Sequence, residues 1–516
     1  MTYSLQAVAK KMSMPPLGLL TIAALTPPGF GLRLADLNCR PLTEGDLDWA
    51  DVVCFTAMLN QAKGLRGPAR RARAAGKLVV FGGPYPTACP EECAPLCDVL
   101  VLDEGETTWP RFLRDLEKGS LERIYTSGEK PDLAASPCPR FDLLNLSEYA
   151  MMAVQFSRGC PYRCEFCDVT ALFGHAVRTK PPDQLVLEIE TLFRSGYRGG
   201  VFVADDNFIG DKKGAGELLE KMSRWNEGNG HPFYYITQAS LDLSRNRGLL
   251  EQMVEAGFRG VFLGIETPSL EGLRETGKVQ NTRGSLLDSV RTIQRAGMVV
   301  HGGFIVGFDS DGEDIFDRQI DFIRSAAIPN AFVELLSAFP GTGLYERMKR
   351  EGRLKQDVEG TLGDGTTNIR TVLPERRLLE GYRDMLAALY RPEAYFERAL
   401  EQFSRLPRPP SLQAGFRNLL LLGPLALGLF RPRRKRAGRP RSSLAGQVKA
   451  LARFARGLPP AYSRQALRFL LAVTGRLPER LPGAILFLFT GAHFYRYTYE
   501  HMIPKIDARI QGLPPS

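Results

Sequence analysis

The chain has 516 residues, 44% hydrophobic and 24% charged, the balance of a globular protein with core enough for two to four domains rather than of a disordered or fibrous chain. Nine cysteines, an odd number gathered mainly in two places, do not make a secreted disulfide framework, and with no signal-like opening they fit a reducing cytoplasm. The net charge of +10 is local: Ser404–Arg480 holds 17 Lys or Arg against one acidic residue, and the rest of the chain is net −6, which argues against a general nucleic-acid-binding surface.

Residues 12–116 alternate strand and helix patterns. Leu32–Asn38, Asp51–Ala57, Lys77–Gly83 and Asp98–Glu106 read as short buried strands, with helical stretches such as Gly64–Ala75 between them. This predicts an α/β unit on a parallel sheet over residues 1–117, with ligands beyond the strand carboxyl ends. Two loops stand there: Thr56–Gln61, and FGGPYPT with Gly82 and Gly83. Adjacent glycines allow a ligand close to the backbone, and they also simply make turns. Cys89, Cys93 and Cys97 are spaced by four, as on one helical face, and read as structural. The proline-rich residues 118–152 read as linker rather than core.

Residues 153–350 repeat strand and helix six times. The strands are expected at Ala153–Ser157, Gly200–Ala204, Phe233–Ala239, Gly260–Glu266, Val299–Val306 and Ala331–Ala338. Helices are expected between them, among others at Asp183–Ser195, Leu249–Ala256 and Ser285–Ala296. Six successive βα units with right-handed crossovers curl into a partial (β/α)6 barrel with its active residues at the strand carboxyl ends. Directly after the first of these strands comes RGCPYRCEFCDV, placing Cys160, Cys164 and Cys167 within eight residues. Three such thiolates can hold three corners of a cubane iron–sulfur cluster and leave the fourth iron open. A closed zinc site needs a fourth ligand, for which the nearest downstream candidate is His175. Inert core thiols do not suit a loop that also carries Arg158, Arg163, Glu165 and Asp168.

This spacing, with the aromatic Phe166 before the third cysteine, resembles the radical S-adenosylmethionine (SAM) enzymes. The resemblance implies a [4Fe–4S] cluster whose open iron chelates SAM, reductive cleavage to a 5′-deoxyadenosyl radical, and a reductant such as flavodoxin or ferredoxin. It also implies roles for residues at the other strand ends. Phe166 lies near the adenine; Asp205 or Asp206 of DDNFIGD meets the methionine amino group, although helix capping suits either residue as well. Gln238 and Ser240 stand after the third strand, and Glu266 of GIETP accepts from ribose hydroxyls. Lys278 is a weaker candidate for a carboxylate contact. Gly303, Ile305 and Gly307 resemble the family's element packed on adenine, with Asp309 close to its trailing acid.

The order of elements before residue 117 is similar to the cobalamin-binding domain that precedes many radical SAM domains, with Thr56, Gly82 and Gly83 on the cofactor side. No histidine precedes His175, so bound cobalamin would be base-off with no histidine beneath the metal. No apolar strand precedes Pro15, where such domains usually open with one.

Residues 351–516 read as helical, including Gly363–Asn368 and Leu378–Arg398, and resemble the C-terminal domain of the subgroup that includes hopanoid C-2 methylases. Two apolar runs, Leu419–Phe430 and Ala484–Phe489, are too short to span a bilayer and flank basic stretches. They suit an anionic membrane surface, or equally a helical subdomain with a solvated basic loop. The resemblance implies a methyltransferase acting on an unactivated carbon of an apolar, lipid-like small molecule. The alternatives are a non-methylating enzyme of the same type (a cyclase or ring rearrangement) and a cluster-bearing redox sensor, which would leave DDNFIGD and GIETP unexplained.

Overall fold

The computed structural model describes residues 10–355, 365–408 and 458–513. Near the N-terminus, strands β1 (Val52–Phe55), β2 (Leu78–Gly82), β3 (Val99–Val101) and β4 (Ile124–Tyr125) form one parallel sheet in sequential order. Side chains alternate between two cores: Phe55, Phe81 and Leu100 join Leu65, Cys93 and Cys97 on one face, while Val80, Val99 and Val101 join Trp109 and Phe112 on the other. Burial on both faces is why these strands read as continuous apolar runs. Cys89, Cys93 and Cys97 are all buried in the first of these cores.

Three expectations need correction here. Leu32–Asn38 is not a strand. Asp36 interrupts it, accepting from the Asn38 backbone N–H (2.9 Å) and from the Tyr149 hydroxyl (3.1 Å), which turns the chain. The Asp98–Glu106 strand stops at Val101, and helix Gly105–Lys118 begins within the expected strand. The stretch 118–152 is more than linker: it supplies β4 and buries Tyr125, Leu133, Phe141 and Tyr149.

The second sheet has six parallel strands in the order β12-β11-β10-β9-β8-β5. They are β5 (Met152–Val154), β8 (Gly199–Val203), β9 (Phe233–Ala239), β10 (Phe258–Glu266), β11 (Val299–Val306) and β12 (Ala331–Leu335), with a small hairpin of β6 (Ser157–Arg158) and β7 (Arg178–Thr179) after β5. Strictly sequential order with a helix in each crossover, and no pairing of β5 with β12, is the expected open barrel. Polar side chains cap its helices as they leave the strand ends: Asp211, Asn246, Ser269, Ser285 and Thr342 each accept from the first helical turn.

Helices Glu375–Tyr390 and Pro392–Arg405 close over β12. The Tyr382 hydroxyl donates to the Val333 carbonyl (2.9 Å), the Tyr390 hydroxyl to that of Ala331, and Arg398 to that of Ile328 (2.9 Å). Helices Pro460–Arg476 and Leu481–Arg496, a π-helical turn Tyr497–Met502 and helix Ile503–Gly512 complete the domain. The expected helix at Gly363–Asn368 is absent where the chain is described: Thr367 and Asn368 instead bond back to Leu336 and Ala338 beyond β12. The apolar run Ala484–Phe489 is not a free membrane element, since Ala484, Phe487, Leu488 and Phe489 are buried within the domain. The run Leu419–Phe430 and the basic stretch after it lie outside the described residues.

Candidate active site

The cysteine loop is tethered on both sides. Glu165, between Cys164 and Phe166, accepts from Nε and Nη2 of Arg347 (2.8 and 3.0 Å), and Arg347 Nη1 donates to Asp309 (2.8 Å). Asp309 is therefore a structural anchor, held by Arg353 as well. Toward the N-terminal sheet, Arg158 bonds Glu104 and Glu106. Burial alone would raise the Glu106 carboxyl, but the Arg158 charge and hydrogen bonds outweigh it and hold it below the ordinary range.

The donor set suits a cluster. Cys160, Cys164 and Cys167 are half-buried, and Gln280 directs its amide nitrogen at the Cys164 sulfur (3.7 Å). Burial pushes the Cys167 thiol up to about 12 and raises that of Cys160; ligation to iron removes the proton outright. Among the described residues no three Cys, His, Asp or Glu side chains close on one ion, and His175 is exposed on a turn.

DDNFIGD divides its work among several partners. Asp205 is wholly buried and accepts from the Phe156 N–H (2.8 Å) and the Ser157 hydroxyl (2.6 Å), so it pins the strand end. Asp206 stays half-buried beside the Gly159 N–H (3.3 Å), its carboxyl pushed up to about 6 by burial, and is the carboxylate of the two left open. The capping residue is Asp211, not either of these. Asn207 accepts from the Ser240 N–H (3.1 Å) and hydroxyl (3.2 Å), and Ser240 also bonds Asp242, so its hydroxyl already has partners. Gln238 is half-buried near the end of β9.

At the end of β10 the register with β11 shifts between Gly264 and Glu266, and Glu266 adopts φ +67°. A non-glycine residue in that conformation costs energy and marks a place where geometry matters. The shift turns Glu266 into an ion pair with Lys278, which also lies 5.8 Å over the Phe166 ring. Burial alone would lower the Lys278 ammonium, but Glu266 and the neighbouring thiols hold it above its ordinary range. A Cβ on Gly264 would come within 2.5 Å of Glu266 Oε1 and 2.7 Å of Lys278 Nζ, so a larger residue there would displace the pair.

A cavity of about 480 Å³ at the barrel mouth is lined by Phe166, Cys167, Glu266, Gly303, Ile305 and Met58, among others. Gly307 does not line it: at φ +105° it makes the turn in which Asp311 accepts from the Gly307 and Phe308 N–H groups (2.8 and 3.0 Å). A second cavity, of about 300 Å³, lies beyond β1–β3 and takes in Thr56, Gly82, Gly83, Glu104 and Arg158. Gly83 has φ +95°, and a Cβ there would stand 2.2 Å from the Thr56 hydroxyl, so this cradle admits a ligand only over bare backbone. Pro84 and Leu172 line both cavities. The sequence did not single out Asn207, Gly264, Gln280 or Arg347; their partners lie 33 to 182 positions away, except for those of Gly264.

Among the described residues no histidine lines the second cavity. Cobalamin bound there is expected to show the base-off spectrum, unchanged by replacing any one of the five histidines with Ala. Electron paramagnetic resonance (EPR) of the Co(II) form checks this, and nitrogen splitting from an imidazole would refute it.

Comparison with known proteins agrees with this architecture. Residues 7–113 match the B12 binding domain, residues 154–323 the radical SAM superfamily, and residues 342–505 a domain of unknown function, DUF4070. The chain is 42% identical to an uncharacterized methyltransferase of Synechocystis over 84% of this chain and 81% of that protein. It is 35% identical to the hopanoid C-2 methylase of Rhodopseudomonas palustris over 75% of this chain and 73% of that one. Its fold is similar to that of the radical SAM methyltransferase TsrM of Kitasatospora setae, solved with cobalamin and a [4Fe–4S] cluster bound (TM-score 0.60, 15% identity, 94% of this chain and 99% of that chain). The chain thus belongs to the cobalamin-dependent radical SAM methyltransferases, enzymes that use a [4Fe–4S] cluster, SAM and cobalamin.

Proposed function

We propose that the enzyme methylates an unactivated carbon of an apolar polycyclic lipid, of the hopanoid class on which its Rhodopseudomonas relative is named to act. The observation that carries this is the lining of the larger cavity, where Phe262, Phe304, Ile305, Phe332, Leu336 and Phe339 surround the space beside the cysteine loop and leave few polar groups to bind a hydrophilic molecule. When bound, the cluster and SAM supply a hydrogen-abstracting radical, and cobalamin supplies the methyl group. Around them, Cys160, Cys164 and Cys167 would hold the cluster and Asp206 would meet the SAM ammonium. Glu266, fixed by Lys278, would accept from hydroxyls, while Phe166 and Gly303 would border the adenine. Thr56, Gly82 and Gly83 would carry the corrin, and Pro84 and Leu172 form the shared wall across which the two sites meet. The test is anaerobic turnover of reconstituted enzyme with reductant, SAM labelled as CD3 and a pentacyclic triterpenoid. A product three deuterons heavier supports the reading. 5′-Deoxyadenosine formed with an unlabelled, rearranged product would favour the non-methylating alternative.

Such a substrate resides in membranes, and one face of the C-terminal domain suits access to them. Among the described residues no helix is long and apolar enough to cross a bilayer. On helix Pro460–Arg476, however, Leu467 (59% exposed) and Leu471 (65%) project outward beside Arg464, Arg468 and Arg476. Arginine beside exposed leucine matches an anionic lipid surface. Insertion of each leucine contributes about 1 kcal/mol, so Leu467→Asp/Leu471→Asp is expected to weaken binding to anionic vesicles by about 25-fold. Vesicle sedimentation measures this, and unchanged binding would remove the docking face.

A further inference from the structure

One buried charge cluster joins the N-terminal sheet to the barrel. Arg158 Nη1 donates to Glu104 Oε2 (2.8 Å) and Glu106 Oε2 (3.0 Å), and its Nη2 to Glu106 Oε1 (2.8 Å). Arg178 Nη2 donates to Glu104 Oε1 (2.8 Å) and its Nη1 to Glu104 Oε2 (3.0 Å). The remaining Arg158 donor, Nε, goes to Gln155 (2.8 Å), and the Ser136 hydroxyl donates to Glu106 (2.8 Å). The carboxylate side chains are 3% and 4% exposed, and the guanidinium side chains 11% and 17%. Two cations and two anions in alternation cancel in net charge, and the planar forks satisfy the carboxylates bidentately.

A plain staple between the N-terminal sheet and the barrel would need no contact with either cofactor site. This one touches both. Glu104, Glu106, Gln155 and Arg158 line the cavity that carries the glycine cradle, while Arg158 lies two residues before Cys160 and pairs through β6 with Arg178 on β7. A ligand filling that cavity displaces water from Glu104, Glu106 and Arg158, to which Arg178 is joined through Glu104. Ion pairs strengthen as water leaves, because screening falls. We infer that Glu104, Glu106, Arg158 and Arg178 are positioning residues that couple the two cofactors, so that cobalamin in its cavity fixes the cysteine loop and a loaded loop tightens cobalamin binding. Reciprocity follows from linkage, whichever cofactor arrives first.

The test measures hydroxocobalamin affinity by absorbance titration, on wild-type protein carrying its reconstituted cluster and on the same protein after chelation removes the iron. The expected result is binding at least about tenfold tighter with the cluster present, within the usual range of coupling between sites. In Glu106→Gln, which keeps side-chain size, and in Arg178→Gln, which shortens the side chain and removes its charge, that ratio is expected to fall below about threefold while both cofactors still bind. The second readout is the EPR spectrum of the reduced cluster, expected to change on adding cobalamin in the wild type and to change less in the variants. Equal affinity with and without the cluster in the wild type would overturn the inference, and needs no variant that folds. Variants that bind both cofactors and keep the full ratio would overturn it too, leaving the charges as a structural staple.

Discussion

Replacing Cys160, Cys164 and Cys167 together by Ala is expected to abolish the broad absorption near ~400 nm of anaerobically reconstituted protein, together with all cleavage of SAM. The loss should be complete because each thiolate would hold a different iron, and Lys278, Gln280 and His175 are poor substitutes for a thiolate. Lys278 is cationic and paired with Glu266, Gln280 offers an amide, and His175 is exposed on a turn. Folding should survive, since all three cysteines are only half-buried in a loop whose tethers are Glu165–Arg347 and Arg158–Glu106. The control is Cys89→Ala/Cys93→Ala/Cys97→Ala, which empties buried volume in the N-terminal core. That variant is expected to lose roughly 1–3 kcal/mol of stability and keep the full cluster. Iron and sulfide analysis beside the spectra reads both outcomes. A cluster that outlives the first triple variant but not the second would reverse the assignment.

Gly83→Val is expected to remove cobalamin binding and leave the cluster intact. Two costs act at the same place. A side chain at φ +95° is strained, and its Cβ would overlap the Thr56 hydroxyl at 2.2 Å, forcing apart two loops that form one wall of the cavity. Gly82 gives no relief, because a Cβ there would meet the Val101 carbonyl at 2.8 Å. The cofactor content of purified, reconstituted protein should drop from about one equivalent to under a tenth, which takes roughly a hundredfold loss of affinity at a fixed cofactor concentration. Gly76→Ala separates the two costs: its φ is +71°, but nothing lies within 4 Å of the added Cβ. That variant is expected to lose about 1 kcal/mol of stability and bind cobalamin normally. If Gly83→Val retained cobalamin, the glycine pair would be an ordinary turn and the cofactor would rest on other residues.

Both variants rest on features with different origins in the chain. The sequence by itself determined the order of the parts. Period-two and period-three-to-four apolar patterns depend on which side of a segment is buried, so the barrel strands Phe233–Ala239 and Val299–Val306 appear with the bounds expected of them. The cysteine spacing is likewise local, since one loop supplies all three thiols. Where a polar side chain redirects the backbone, pattern fails: Asp36 bends an apolar segment out of the sheet, and β4 takes its place from a stretch that reads as linker.

What surrounds the cysteines was decided only by tertiary structure. Asp205 and Asp206 are neighbours of one chemical type, and nothing in their order tells which is spent on Phe156 and Ser157 and which faces the cluster loop. That distinction follows from the placement of β5 beside β8. The same holds for Gly303 and Gly307, of which one lines the cavity and the other makes a turn. Arg347 lies 182 residues from Glu165, and Glu104 lies 54 from Arg158. A charge seeks a partner across space, and the sequence records only that the charge exists. Helical periodicity could show that Ala484–Phe489 is apolar, but whether it meets lipid or protein depended on Tyr395 and Phe403 arriving from another helix to cover it. Burial is a property of the assembled surfaces, and on helix Pro460–Arg476 it leaves Leu467 and Leu471 without such cover.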